Sequence, residues 1–286
     1  MIISLIKRNL KVYFRDHMSV FFSMLGVFII IMLYLIFLGD MMVNYALSEV
    51  NDSFGVNIRF LMDSWIMAGV ITVATITTTL GAYGVMVMDN SSKVINDFKV
   101  SPIKRTTLVL SYILSAFIVG VIMSLLSLAF GETYILISGG KLLSFIGFFK
   151  TLGVIMLSVL MSSSIIFFII SFIKSNNAFG AVSTVFGSII GFLMGVYIPI
   201  GNLPDGVQSI IRFFPFAHPA VLMRQAMMSE AVDLSYMPEE FMVFTGVNFK
   251  YNDIILPVFG HILLILGISI LFFILGVLVI SKKRRK

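Results

Sequence analysis

The sequence predicts an all-α integral membrane protein with six transmembrane helices, organised as one domain over residues 1–286. Three observations carry this. The chain is 59% hydrophobic and 12% charged, with a mean hydropathy of +1.05, whereas soluble domains are about half apolar and a quarter charged. Six apolar stretches, roughly 18–38, 61–87, 107–129, 146–173, 178–198 and 256–280, are long enough to cross about 30 Å of hydrocarbon as helix. The alternating pattern of a membrane barrel is absent.

Segment 2–16 precedes the first span. At 100° per residue Lys7, Arg8, Lys11 and Arg15 fall within one arc, opposite Ile2, Ile3, Ile6, Leu10, Tyr13 and Phe14. Such a helix lies along a membrane surface, its basic side toward lipid headgroups or a partner. The first apolar run is long for a signal core and no small-x-small site follows it, so it reads as a retained span. Apolar residues continue past Gly131 and Glu132 to Ile137, which leaves the far end of the third span open.

An even number of spans puts both termini on one side. Of the 20 Lys and Arg residues, 14 fall on that side, including Lys93, Lys99, Lys104, Arg105, Lys174 and the terminal run Lys282–Lys286. The positive-inside bias then makes the termini cytoplasmic. The same bias accounts for the net charge of +6 without a nucleic-acid partner. Residues 39–60 form a short acidic outer loop, and 199–255 a longer outer segment with its own prolines.

No cysteine is present, which excludes disulfides, thiol catalysis and cysteine metal sites. No GxxxxGK[ST], HExxH or GxSxG motif occurs, so no enzyme chemistry and no bound cofactor or metal is expected. His17, His218 and His261 are far apart in sequence. Asp63 and His261 lie near span ends, and the span centres offer only hydroxyls. Thr75, Thr78 and Thr79 are candidates for a pathway or a dimer seam, against a bland alternative of helix packing through small residues.

The stretch "DNSSKVINDFKVSPIKR", residues 89–105, is polar, capped and amphipathic. Ser91 or Ser92 suits a helix cap. Val94, Ile95 and Phe98 share a face, and Pro102 biases Ser101 out of the helical region. A two-turn helix with an apolar face suits docking to another protein, or seating on the bilayer surface. In the outer segment Pro199 follows the fifth span. Pro204 and Asp205 suit a helix start and Arg212 its end, while Pro215 and Pro219 break and restart the chain.

These features in this order resemble the permeases of the type-2 ATP-binding-cassette exporters, over nearly the whole chain. The counterparts are helix 2–16, the six spans, the stretch 91–100, the short loop "IKSNN" at 173–177, and "NLPDGVQSIIRFFPFAHPAVLMRQAM" at 202–227. In the first loop Asp89, Asp97, Phe98, Ser101, Pro102, Lys104 and Arg105 fit the family's pattern, with Lys93 and Val94 where it has Gly-Thr. The resemblance implies a cytoplasmic coupling helix that docks an ATPase through Ser92, Val94, Ile95, Asp97, Phe98 and Pro102. It implies short re-entrant outer helices with Pro199, Pro204, Pro215 and His218 at an outer gate. It also implies a bacterial plasma-membrane location, a second permease chain, and two copies of an ATPase that binds ATP and Mg. The expected activity is export of a small amphipathic drug, antimicrobial peptide or lipid-like cargo. A secondary carrier and a non-transporting scaffold or immunity protein are the alternatives.

The charge asymmetry makes a direct prediction. In intact cells a cysteine placed at Ser92 should be shielded from an impermeant thiol reagent, and one at Ser53 should react. Reversed labelling would invert the orientation.

Overall fold

The computed structural model describes residues 1–49, 57–251 and 254–282. Helix α1 (Ile2–Arg15) leads into α2 (His17–Leu33), where Asp16 accepts the Ser19 backbone N–H at 3.1 Å and supplies the N-cap. A π-helical turn, Tyr34–Leu38, joins α2 to α3 (Gly39–Glu49). The acidic stretch expected as loop from residue 39 is therefore helical to Glu49 and extends the first span. The rest of that expected loop, residues 50–56, including Ser53, lies outside the described residues.

The second span is α4 (Ile58–Ser91), capped by Asn57. Then come the short α5 (Val94–Val100), α6 (Arg105–Ile137) and α7 (Phe145–Ile170), capped by Ser144. The third span thus continues past Glu132 to Ile137, since nothing in 131–137 breaks a helix. α8 (Asn176–Leu193) is capped by Ser175 and ends five residues short of the expected 198. Gly195 follows it at φ +62°, a conformation natural to glycine after a helix. The outer segment carries α9 (Asp205–Phe213), α10 (Ala217–Met228), α11 (Glu239–Phe244) and a two-residue hairpin, β1 (Lys250–Tyr251) with β2 (Ile254–Ile255). α12 (Val258–Lys282) is the last span.

Among the described residues six helical runs are long and apolar enough to cross a membrane, which makes this an all-α membrane protein. They are not equivalent. In the most apolar window of α4, 78% of residues are buried, against 11% for α8 and 17% for α12. α4 is therefore the core, packed by α2, α6, α7, α8 and α10, while α8 and α12 keep most of their surface outside the bundle.

Enclosure of α4 requires small residues and satisfied hydroxyls. Thr72, Thr75, Thr78 and Thr79 are fully buried. Thr72, Thr78 and Thr79 each donate to the carbonyl four residues back, at 2.9, 2.7 and 2.6 Å. Thr75 donates to the Thr72 carbonyl at 2.6 Å and meets Ser158 of α7. In hydrocarbon these groups have no water to bond, so closing them on the helix itself removes the penalty. At Gly120 of α6 the backbone comes so close that a Cβ would meet Thr79 Oγ1 and lie 2.8 Å from Val159 Cγ1.

Gly120→Ala is expected to destabilise the bundle by about 1–3 kcal/mol through overpacking. Gly153→Ala, where a Cβ meets nothing within 4 Å, should not. Thermal unfolding of both variants in detergent measures the difference.

Candidate functional site

Two polar clusters stand at opposite ends of the bundle. The first is at the end that holds both termini. Arg8 of α1 pairs with Asp89 of α4 through both guanidinium nitrogens, Nη2–Oδ1 at 2.7 Å. Asp89 is buried and also accepts Tyr112 Oη of α6 at 2.6 Å. Asn9 reaches Ser111 at 3.5 Å. The hydrogen bond to Asp89 raises the Arg8 pKa above its ordinary value, so the guanidinium stays charged. A bidentate guanidinium–carboxylate pair fixes direction as well as distance. Arg8 thus leaves the basic stripe of α1 and turns inward, while Lys7, Lys11 and Arg15 remain exposed.

The same guanidinium lies 5.7 Å from the ring centroid of Phe98 on α5, a cation–π distance. Ile95 and Phe98 are half-buried and pack against the bundle. This corrects the sequence reading of α5. Part of its apolar face turns to the protein's own helices, and Ile95 and Phe98 also border an open groove. The side turned outward carries Lys93, Asn96, Asp97 and Val100, the last 89% exposed, with Ser92 and Pro102 exposed beside it. Val94 is half-buried.

Ser92 does not cap α5 either. It ends α4, its hydroxyl donating to the Met88 carbonyl at 2.7 Å. Ser91, the other candidate, is the last residue of α4 and donates to the same carbonyl at 3.0 Å. The chain turns at Lys93, whose φ of +64° is left-handed. Glycine takes that conformation freely, whereas a side chain there costs about 1–2 kcal/mol.

The second cluster is at the far end. Arg224 of α10 is 1% exposed. It donates to the carbonyls of Met194 at 2.6 Å, Gly195 at 3.1 Å and Gly246 at 3.1 Å, and it stacks 5.0 Å from the ring of Trp65. Trp65 in turn donates to the Thr245 carbonyl at 2.8 Å. One guanidinium therefore closes the carbonyl end of α8 and the loop after α11 against α4. Sequence reading misses Arg224. The signal there is an arginine amid apolar residues, a position that demands internal partners.

The outer prolines sit where the helices change. Pro199 is buried ahead of a 3-10 turn, Ile200–Asn202. Pro204 precedes α9, and its carbonyl accepts from the backbone N–H groups of Val207 and Gln208 at 2.8 and 3.0 Å. Pro215 lies between α9 and α10. α9 lies on the surface, with Ile210 and Phe213 exposed and Ile211 buried, whereas Ala217–Arg224 of α10 are buried throughout. α10 packs among α4, α7 and α12, as an inserted half-helix does. His218 and His261, 43 residues apart, meet there with Nδ1 atoms 2.9 Å apart, while His17 opens α2 at the other end of the bundle.

Thr75, Thr78 and Thr79 do not form the expected pathway or seam surface. All three are buried inside the chain and bonded to backbone of their own helix. Thr77 instead faces open space. It lines a cleft of about 590 Å³ between α2, α4 and α8, which runs from Tyr13, Asp16 and Asn176 to Tyr197. The cleft walls are mostly apolar, with Ser19, Ser23, Thr77 and Ser183 as scattered hydroxyls.

An enclosed central helix, an inserted half-helix and a short amphipathic helix between the second and third spans define a polytopic all-α membrane protein. A family model described as "ABC-2 family transporter protein" matches residues 44–278. The chain belongs to that family, whose members are transmembrane subunits of ABC transporters. No curated protein matches the chain significantly.

Arg224→Leu should leave three backbone carbonyls without their charged donor. Hydrogen bonds to charged groups contribute about 1.5–3 kcal/mol each, so a stability loss of at least about 2 kcal/mol is expected in detergent unfolding. Lys150→Leu, at an exposed position of α7, is the control and should change stability by less than about 0.5 kcal/mol.

Proposed function

We propose that the chain is the membrane half of an ATP-driven exporter. Two permease chains, each docked to one ATPase, move a small amphipathic drug, antimicrobial peptide or lipid-like molecule outward. The carrying observation is the family match over 44–278 together with α5, a short helix set between two spans at the basic end of the bundle.

The energy source lies in a partner, because this sequence has no phosphate-cradling loop. The partner binds ATP and Mg. Both termini and α5 face the cytoplasm, a reading supported by the distribution of Lys and Arg. The ATPase meets the outward side of α5, Asp97 and Val100 above all, while Ile95 and Phe98 anchor α5 to its own bundle. Motion imposed on α5 then reaches α1 through Phe98 and Arg8, and α4 through Asp89. Those are the contacts through which a push on α5 is felt by the spans.

Cargo suits the cleft between α2, α4 and α8. Its apolar walls and scattered hydroxyls favour an amphipathic molecule over an ion. α8 is the least covered span, and a second copy of the chain against it would close the cleft. Pro199, Pro204, Pro215 and His218 surround the far end, where α10 inserts, and form the outer gate.

The docking face is tested by recovering the ATPase with tagged permease variants from membranes. Burial of a valine contributes about 1.5–3 kcal/mol, so Val100→Asp should reduce recovery about tenfold or more. Asp97→Arg should also reduce it. Phe98→Ala should act through lower permease stability. Full ATPase recovery with both Val100→Asp and Asp97→Arg would remove α5 as the docking element.

A further inference from the structure

We propose that a groove at the basic end, walled by α4, α5, α6, α7 and α12, binds an anionic phospholipid. The groove has a volume of about 580 Å³ and is bounded by Ile95, Phe98, Val109 and Ile280, with Arg105 and Lys174 also in its lining. It is separate from the cleft between α2, α4 and α8, with which it shares no lining residue.

Three observations select the occupant. First, the groove lies at the ends of the spans. Arg105 opens α6, Lys174 follows α7, and Ile280 is near the end of α12. That is the depth at which headgroups meet acyl chains. Second, the walls and the mouth differ in chemistry. The walls are mostly aliphatic and aromatic, with Asn90, Ser171 and Tyr112 as their uncharged polar residues, while both charged residues in the lining, Arg105 and Lys174, are cations and exposed. Neither forms an ion pair among the described residues. Asp89, the buried acid at this end, is already held by Arg8 and Tyr112. Third, apolar surface adjoins the groove. α12 keeps most of its surface uncovered, and Val277, one turn before Ile280 and near the same face, is exposed.

A molecule with one phosphate and long apolar chains satisfies all three. Its phosphate lies between Arg105 and Lys174, its glycerol enters the groove, and its chains run along α12. A zwitterionic lipid has the same chains but carries a cation beside its phosphate, which opposes the pair. A free phosphate has the charge but leaves the apolar walls unfilled. An inner-leaflet anionic lipid has both.

The experiment uses the full chain, purified in detergent and offered phosphatidylglycerol or phosphatidylcholine of matched chains, with retained lipid read by native mass spectrometry. Each basic residue near a headgroup contributes roughly a fivefold gain in affinity. The wild type should retain phosphatidylglycerol in preference to phosphatidylcholine, and excess inorganic phosphate should not displace it. Arg105→Gln with Lys174→Gln should lower the preference about 25-fold, the product of two such gains. Val109→Trp, which fills the groove and leaves both cations, should lower retention of either lipid. Lys7→Gln with Lys11→Gln, on the exposed face of α1, should leave the preference unchanged.

Equal retention of the two lipids by the wild type would overturn the proposal. So would an unchanged preference in the Arg105/Lys174 variant, or an equal loss in the α1 variant, which would mean general attraction to basic surface. Displacement by inorganic phosphate would assign an anion site without a lipid and would overturn it as well. The measurement needs no ATPase, so its failure leaves the exporter reading standing, and failure of ATPase recovery leaves the lipid site standing.

Discussion

α4 has no face toward lipid over most of its length, and that enclosure organises the molecule. A helix surrounded by other helices in a bilayer is not stabilised by hydrophobic burial alone, since lipid is as apolar as its neighbours. It is held by close packing and by satisfied polar groups. Gly120 lets α6 approach, and the threonines of α4 bond to its own carbonyls. Tyr83 donates across to the Ser163 carbonyl of α7 at 3.1 Å. The middle of the bundle is thereby closely packed.

The ends are built differently. There each charged group reaches across elements that are distant in sequence. Arg8 joins α1 to α4 and α5. Arg224 joins α10 to the end of α8, the loop after α11 and Trp65 on α4. Near the far end Asp63 accepts Tyr34 Oη at 2.9 Å and Tyr134 Oη at 3.1 Å, and Arg59 bridges it to Asp40 of α3. The π-helical turn that bears Tyr34 belongs to this arrangement, since it supplies one of the two phenols that reach the buried carboxylate. A closely packed centre with ionic clasps at both ends is the path that the proposed transmission of movement would use.

Under the proposed function α5 serves two purposes with seven residues. One side seats it on the bundle through Ile95 and Phe98. The other side stays open, with Asp97 and Val100 outermost. A helix loosely held on its own bundle would absorb a push from outside, whereas one fixed by a cation–π contact and a neighbouring bidentate ion pair passes it on. The left-handed turn at Lys93 sets the angle between this helix and α4.

The sequence by itself determined the fold class, the number of spans, the place of α5 and the breaks around α9 and α10. Hydropathy, helix-stop residues such as Pro102 and Pro204, and the bias of Lys and Arg are local signals, and a bilayer admits few answers to them. Tertiary structure decided which side of each element faces inward. Periodicity gave α5 an apolar face but not its partner, so Phe98 reads equally well as a docking residue and as an anchor until Arg8 is placed over it. The threonines of α4 look like a lining until the neighbouring helices close around them. Arg8 and Asp89 are 81 residues apart, and Arg224 reaches carbonyls that carry no sequence signature at all. Such pairings depend on where helices cross, and crossing is set by packing among all the spans together.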